Sequence, residues 1–157
     1  YDGLFLLHVE FGEGLEHLEI AATLSPDSPV VAFNLARALA QGGALERALL
    51  VYDRLLLLAP RDLEARYHRA RVLLGLRRFD EAVVELEPVG TEAPAELAPE
   101  EALALALGAL GRFAEAAKHQ RRALELTPPA DPAQTRRRTC LEALIRREPC
   151  RMVAGSW

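Results

Sequence analysis

Apolar residues along this chain fall in paired runs with helical spacing. The segment VVAFNLARALAQGGALERALLVYDRLLLLAP, residues 30–60, holds two such runs broken by Gln41-Gly42-Gly43. The spacing predicts two amphipathic helices. Gly42 and Gly43 suit the positive φ that ends a helix, and Pro60 closes the second run because its ring cannot continue the hydrogen-bond ladder. The predicted unit is helix, tight turn, helix, and no strand is predicted anywhere.

The same unit recurs. RFDEA at 78–82 returns as RFAEA at 112–116, a step of 34 residues. The step holds on other rows: Phe11, Leu45, Phe79, Phe113; Gly14, Ala48, Ala82, Ala116; and Pro26, Pro60, Pro94, Pro128. It holds again for Ala36, Ala70, Ala104; for Phe5, Leu39, Leu73, Leu107; and for Ala21, Leu55, Val89, Ala123. Small residues on fixed rows let paired helices approach closely, and the Phe and Leu rows fill the space between units. A single hairpin cannot bury its apolar face, so the units are expected to stack.

Period and rows together resemble the tetratricopeptide repeat family. Unit 29–62 matches best, with Ala32, Leu35, Ala36 and Leu39 in its first helix, Ala48 and Tyr52 in its second, and Pro60 at its close. The next unit supplies Ala70, Leu73, Ala82, Leu86 and Pro94, with Arg69 where the family usually has an aliphatic residue. The third supplies Leu103, Ala104, Leu107, Ala116 and Pro128, with Gln120 in place of an aromatic. The resemblance spans roughly residues 3–130. It implies an all-α fold, an α-solenoid of stacked helix-turn-helix hairpins forming a right-handed superhelix with a C-terminal capping helix.

The expected organisation is an incomplete first repeat at 1–28 (the end of one helix and a second), then repeats at 29–62, 63–96 and 97–130. A capping helix at 131–148 and a loose tail at 149–157 follow. Pro88 falls where the second helix of its repeat should still run, so that helix is expected to stop near Glu87, with a loop to about Ala98. Pro99, Glu100 and Glu101 then make a favourable first turn. In the cap, Asp131-Pro132 starts a helix whose apolar stripe reads Ala133, Cys140, Leu141, Leu144 and Ile145. The opening at Tyr1 reads as a processed or excised N-terminus.

Composition narrows the function. Net charge is −4, with 19 Lys and Arg against 23 Asp and Glu, which argues against nucleic-acid binding. No 18-residue stretch avoids charge, so no membrane span is expected. Cys140 and Cys150 are too few for a disulfide framework or a zinc set, and Cys140 is expected to pack in the cap as a small hydrophobe. Few cysteines and no leader favour the cytoplasm. Residues 1–28 carry six acids and no Lys or Arg, whereas 131–157 carry six Arg against three acids. Solvated ends explain this most simply; weak head-to-tail self-association is the sharper alternative.

The family resemblance implies a ligand groove lined by the first helices. Carried onto this sequence, that face presents Val30, Phe33, Asn34, Arg37 and Gln41, then Glu64, Tyr67, His68 and Arg71. The rungs pair Phe33 with Tyr67, Asn34 with His68, and Arg37 with Arg71; the third unit offers Glu101, Ala102 and Leu105. Rings beside guanidinium groups suit an extended peptide with a carboxylate or acidic side chain. The set resembles the carboxylate clamp of co-chaperone repeats only in part, since it has no lysine and one Asn. A bland or apolar groove is the competing reading.

Catalysis finds little support. His8, His17, His68 and His119 are scattered, and Glu13, Glu16 and His17 lack the second His of a zinc motif. No phosphate-binding glycine loop follows a strand. The expectation is a non-enzymatic scaffold with no cofactor and no metal, whose partner is a protein or peptide; the alternative is an accessory repeat region of a larger polypeptide.

Overall fold

The computed structural model describes the backbone of residues 2–150 and the side chains of residues 12–150. Among these residues there are eight α-helices and no strand. They divide into two compact units, Tyr1–Val72 and Leu73–Trp157. The side chains of Phe5 and Phe11, and the tail beyond Cys150, lie outside the described residues.

In the first unit, α1 (Asp2–Leu24) leads to the hairpin α2 (Pro29–Gln41) and α3 (Leu45–Leu58), then α4 (Leu63–Gly75), which continues into the second unit. Local chemistry sets the helix starts. The Ser28 hydroxyl accepts a bond from the Val31 amide, and Pro29 fills the first turn, where no amide donor is needed. The Asp62 carboxylate accepts from the Ala65 amide at 3.0 Å to start α4. Glu19 of α1 and Arg47 of α3 form an exposed ion pair.

In the second unit, α5 (Phe79–Glu92), α6 (Leu97–Ala109), α7 (Phe113–Leu126) and α8 (Ala133–Ile145) follow. The hairpin turns share one device. Gly43, Arg77 and Gly111, spaced by the 34-residue step, all have positive φ (82°, 60° and 76°). At each, two amides fold back onto the preceding helix: Gly43 and Ala44 bond the carbonyls of Ala40 and Leu39, Arg77 and Arg78 those of Leu74 and Leu73, and Gly111 and Arg112 those of Gly108 and Leu107.

Register rows become core. Ala36, Ala70, Ala104, Ala48, Ala82 and Ala116 are at most 1% exposed, small residues held in the core. Leu39, Leu73 and Leu107 are buried beside them, as are Leu55, Val89 and Ala123. Each buried leucine contributes about 1.5–3 kcal/mol of transfer free energy.

Four expectations need correction. α5 does not stop at Glu87 but runs through Pro88 to Glu92. Pro88 cannot donate to the carbonyl of Val84, yet Val84 is 70% exposed, so solvent can reach that carbonyl, while Leu86 and Val89 stay buried on either side of the proline. α1 is one helix and not the end of one plus a second. At its turn position, 34 residues before Gly43, stands Val9, and a β-branched residue strongly resists positive φ. Cys140 is not a free packing residue; it is bonded to Cys150. In α8, Ile145 is 62% exposed and Arg137 takes a buried place instead.

Candidate functional site

The face named from sequence lies within the first unit, on α2 and α4, with α3 behind it. Phe33 of α2 and His68 of α4 meet edge to face, ring centroids 5.3 Å apart. Tyr67 contacts His68 at 5.4 Å, and the Arg71 guanidinium stands 5.9 Å from the centre of the Tyr67 ring, in cation–π range. Glu64 reaches to 4.0 Å of His68 Nε2 from one turn away. The ring contact is therefore diagonal, joining Phe33 to His68 across the expected rungs.

Tyr52 is the member that sequence reasoning left out of the site. It belongs to α3 and is buried, stacked on His68 (6.4 Å, 9° between planes) and edge-on to Phe33 at 6.2 Å. Its row in the repeat, continued by Leu86 and Gln120, marks it as core, and nothing in its position signals that it also floors the α2–α4 surface.

Asn34, Arg37 and Gln41 are exposed along α2 and stand outside the ring cluster. Arg37 is nevertheless close enough for its charge to bear on Tyr52 and His68. Val30 is exposed at the start of the same helix.

Burial dominates the electrostatics. Desolvation, reinforced by the Arg71 and Arg37 charges, depresses the His68 pKa below the ordinary histidine value despite the opposing Glu64 carboxylate. The imidazole is neutral near pH 7 and behaves as a third ring. Desolvation also pushes Tyr52 up to about 12, against the nearby arginine charges. The result is a small apolar floor of Phe33, Tyr52, Tyr67 and His68 beside two permanent cations and one carboxylate, Glu64.

Both departures from the family pattern acquire structural partners. Arg69, in place of an aliphatic residue, pairs with Asp53 of α3 (Nε to Oδ1, 2.7 Å). Gln120 is buried and donates from Nε2 to the Arg137 carbonyl of α8 at 3.0 Å. In the second unit Glu101 takes an ion pair from Arg137 at 3.2 Å, and Glu100 bonds His119 at 2.8 Å. Glu13, Glu16 and His17 are exposed on α1. Among the described residues no group of three or more His, Cys, Asp or Glu could hold a metal ion, and no helix is long and apolar enough to cross a membrane.

Comparison with known proteins agrees with this architecture. Tetratricopeptide repeat models match residues 10–71 and residues 101–129, together more than half of the chain. Among solved structures, the chain is similar to residues 41 to the end of MamA from Desulfovibrio magneticus RS-1, at 27% identity and TM-score 0.81, covering 90% of this chain and 78% of that one. It is also similar to MamA MSR-1 (25% identity, TM-score 0.69, 78% and 70% covered). The TPR domain of Arabidopsis OM64 shares the fold at 21% identity and TM-score 0.66, over 73% of this chain and 94% of that one. Repeats of this kind are typically non-catalytic scaffolds for protein interaction. With its register of buried rows, shared turn geometry and these matches, the chain belongs to the tetratricopeptide repeat family.

Proposed function

We propose that this scaffold binds an extended, acidic protein segment on the α2–α4 face, with Arg37 and Arg71 as its cations and Phe33, Tyr67 and His68 as its apolar floor. The observation that carries the reading is the placement of Arg71 over Tyr67, beside a neutral, desolvated His68. A guanidinium laid on a ring keeps its N–H groups free at the edge, where a carboxylate can take two of them. The ring floor lowers the local dielectric and strengthens that bond relative to one in open water. Arg37 lies four residues, about one helical turn, further along α2 from Phe33, on the side where a second carboxylate of the same extended segment can be taken. Such a partner binds without chemistry being done to it, as an adaptor would.

Fluorescence anisotropy with a labelled peptide of alternating acidic and aliphatic residues tests this. Arg37→Ala combined with Arg71→Ala is expected to weaken binding at least about tenfold, the loss of one or two charge-assisted hydrogen bonds. Affinity unchanged in the double variant, or equal affinity for a basic peptide, contradicts it.

A further inference from the structure

α8 ends as α2, α4 and α6 end. Arg147 has positive φ (62°), the Arg147 amide bonds the Leu144 carbonyl, and the Glu148 amide bonds the Ala143 carbonyl. These are the bonds made at Gly43, Arg77 and Gly111. After those three turns a second helix starts two residues on, at Leu45, Phe79 and Phe113. After Arg147 the chain instead passes through Pro149 to Cys150 without entering a helix.

In the hairpins α2–α3 and α6–α7 the small residue seven positions before the turn, Ala36 or Ala104, is buried. In α8 that position is Cys140, and it is bonded to Cys150, with the two Cα atoms 5.1 Å apart. Cys150 also passes Gly108 of α6, its amide nitrogen 4.0 Å from where a Cβ would stand. Arg147 carries a side chain in a left-handed conformation that glycine would adopt more easily, so the reversal needs something beyond it to hold it in place.

We infer that the Cys140–Cys150 bond is a redox-labile clasp that fastens the segment after the Arg147 turn back onto α8, at the place where the other hairpins begin a second helix. Both cysteines are partly exposed and not fully buried, which leaves the bond open to a small thiol. Reduction by a dithiol breaks the S–S bond: two electrons pass to the protein sulfurs, each leaves as a thiol with one proton, and the dithiol becomes the cyclic disulfide. In an oxidising compartment the clasp stays shut; in a reducing one it opens, and the chain at 148–150 is released from Cys140 and from the Gly108 flank. The bond closes a loop of about ten residues, enough on the chain-entropy argument to matter to a cap of one helix.

Hydrogen exchange with mass spectrometry on the full chain, oxidised and dithiol-treated, tests the clasp. Oxidised protein is expected to take up no iodoacetamide and reduced protein to take up two equivalents. Reduction should speed amide exchange in α8 about tenfold or more while leaving α2 and α3 unchanged. Cys150→Ser should exchange like the reduced wild type, with or without dithiol. Equal α8 exchange in the two redox states, or alkylation of both cysteines in protein held under oxidising conditions, overturns the proposal.

Discussion

Phe33 and His68 lie edge to face at 5.3 Å, a contact that joins neighbouring repeats and sets the floor of the candidate site. A double-mutant cycle of Phe33→Leu and His68→Leu should return a coupling energy of about 0.5–1.5 kcal/mol by chemical denaturation. A coupling near zero would mean that the two rings are neighbours without mutual stabilisation.

His68 also gives the stability a pH dependence of definite sign. Its folded pKa lies below the unfolded value of 6.5, so the unfolded chain binds the proton more tightly. The contribution is complete above the unfolded value and is lost as pH falls below it toward the folded pKa. Between pH 7 and pH 5 the wild type should therefore lose melting temperature, and His68→Gln should lose less. Identical pH profiles for the two proteins would contradict the burial of a neutral imidazole here.

Glu64 is exposed and stands one turn from His68 on the binding face. It should repel an acidic partner. Glu64→Gln is expected to tighten binding of the acidic peptide by roughly two- to fivefold at low salt, with the gain shrinking as salt is added. Weaker binding in this variant would show that Glu64 accepts a bond from the ligand, and would point away from an acidic one.

Glycines of this chain should respond to alanine with opposite signs. Gly12 and Gly14 lie inside α1 with open space around them, so each Gly→Ala substitution should stabilise by about 0.5–1 kcal/mol. Gly108 is also helical, but a Cβ there would stand 3.0 Å from Cδ2 of the buried Leu144. Gly108→Ala should destabilise by about 1 kcal/mol net, overpacking outweighing helix propensity. Thermal melts of the three variants decide the matter; stabilisation by Gly108→Ala would mean that α8 gives way easily.

Much of this fold was legible because the repeat writes each physical requirement several times. One alanine is ambiguous, but Ala48, Ala82 and Ala116 at a fixed interval mark a buried position, and Gly43 with Gly111 marks turns between helices. What escaped the sequence was written only once. Pro88 signals a break, and whether the helix continues depends on Val84 facing solvent while Leu86 and Val89 are held in the core. α1 continues as one helix past position 9, where the repeat register would put a turn, and that position holds Val9 where the other repeats have Gly43, Arg77 and Gly111.

In the candidate site, the face holding Phe33, Tyr67, His68 and Arg71 came from the family resemblance, and the meeting of Phe33 with His68 across the rungs did not. Nor did Tyr52, because it reaches the site from behind, through α3. Arg69 looked like a breach of the pattern and turns out to pair with Asp53, sixteen residues earlier. The Cys140–Cys150 bond was hidden because a ten-residue separation carries no signal until the reversal at Arg147 brings the two ends together.

The most direct test of the binding face is a titration of isotope-labelled protein with the acidic peptide, followed by amide chemical shifts. The expected result is progressive shifts clustered on α2 and α4, at Phe33, Asn34, Arg37, Tyr67, His68 and Arg71, with the exposed outer positions Leu50 and Leu57 of α3 unmoved. Shifts gathered on α3, or none at all at saturating peptide, would contradict the assignment of this face.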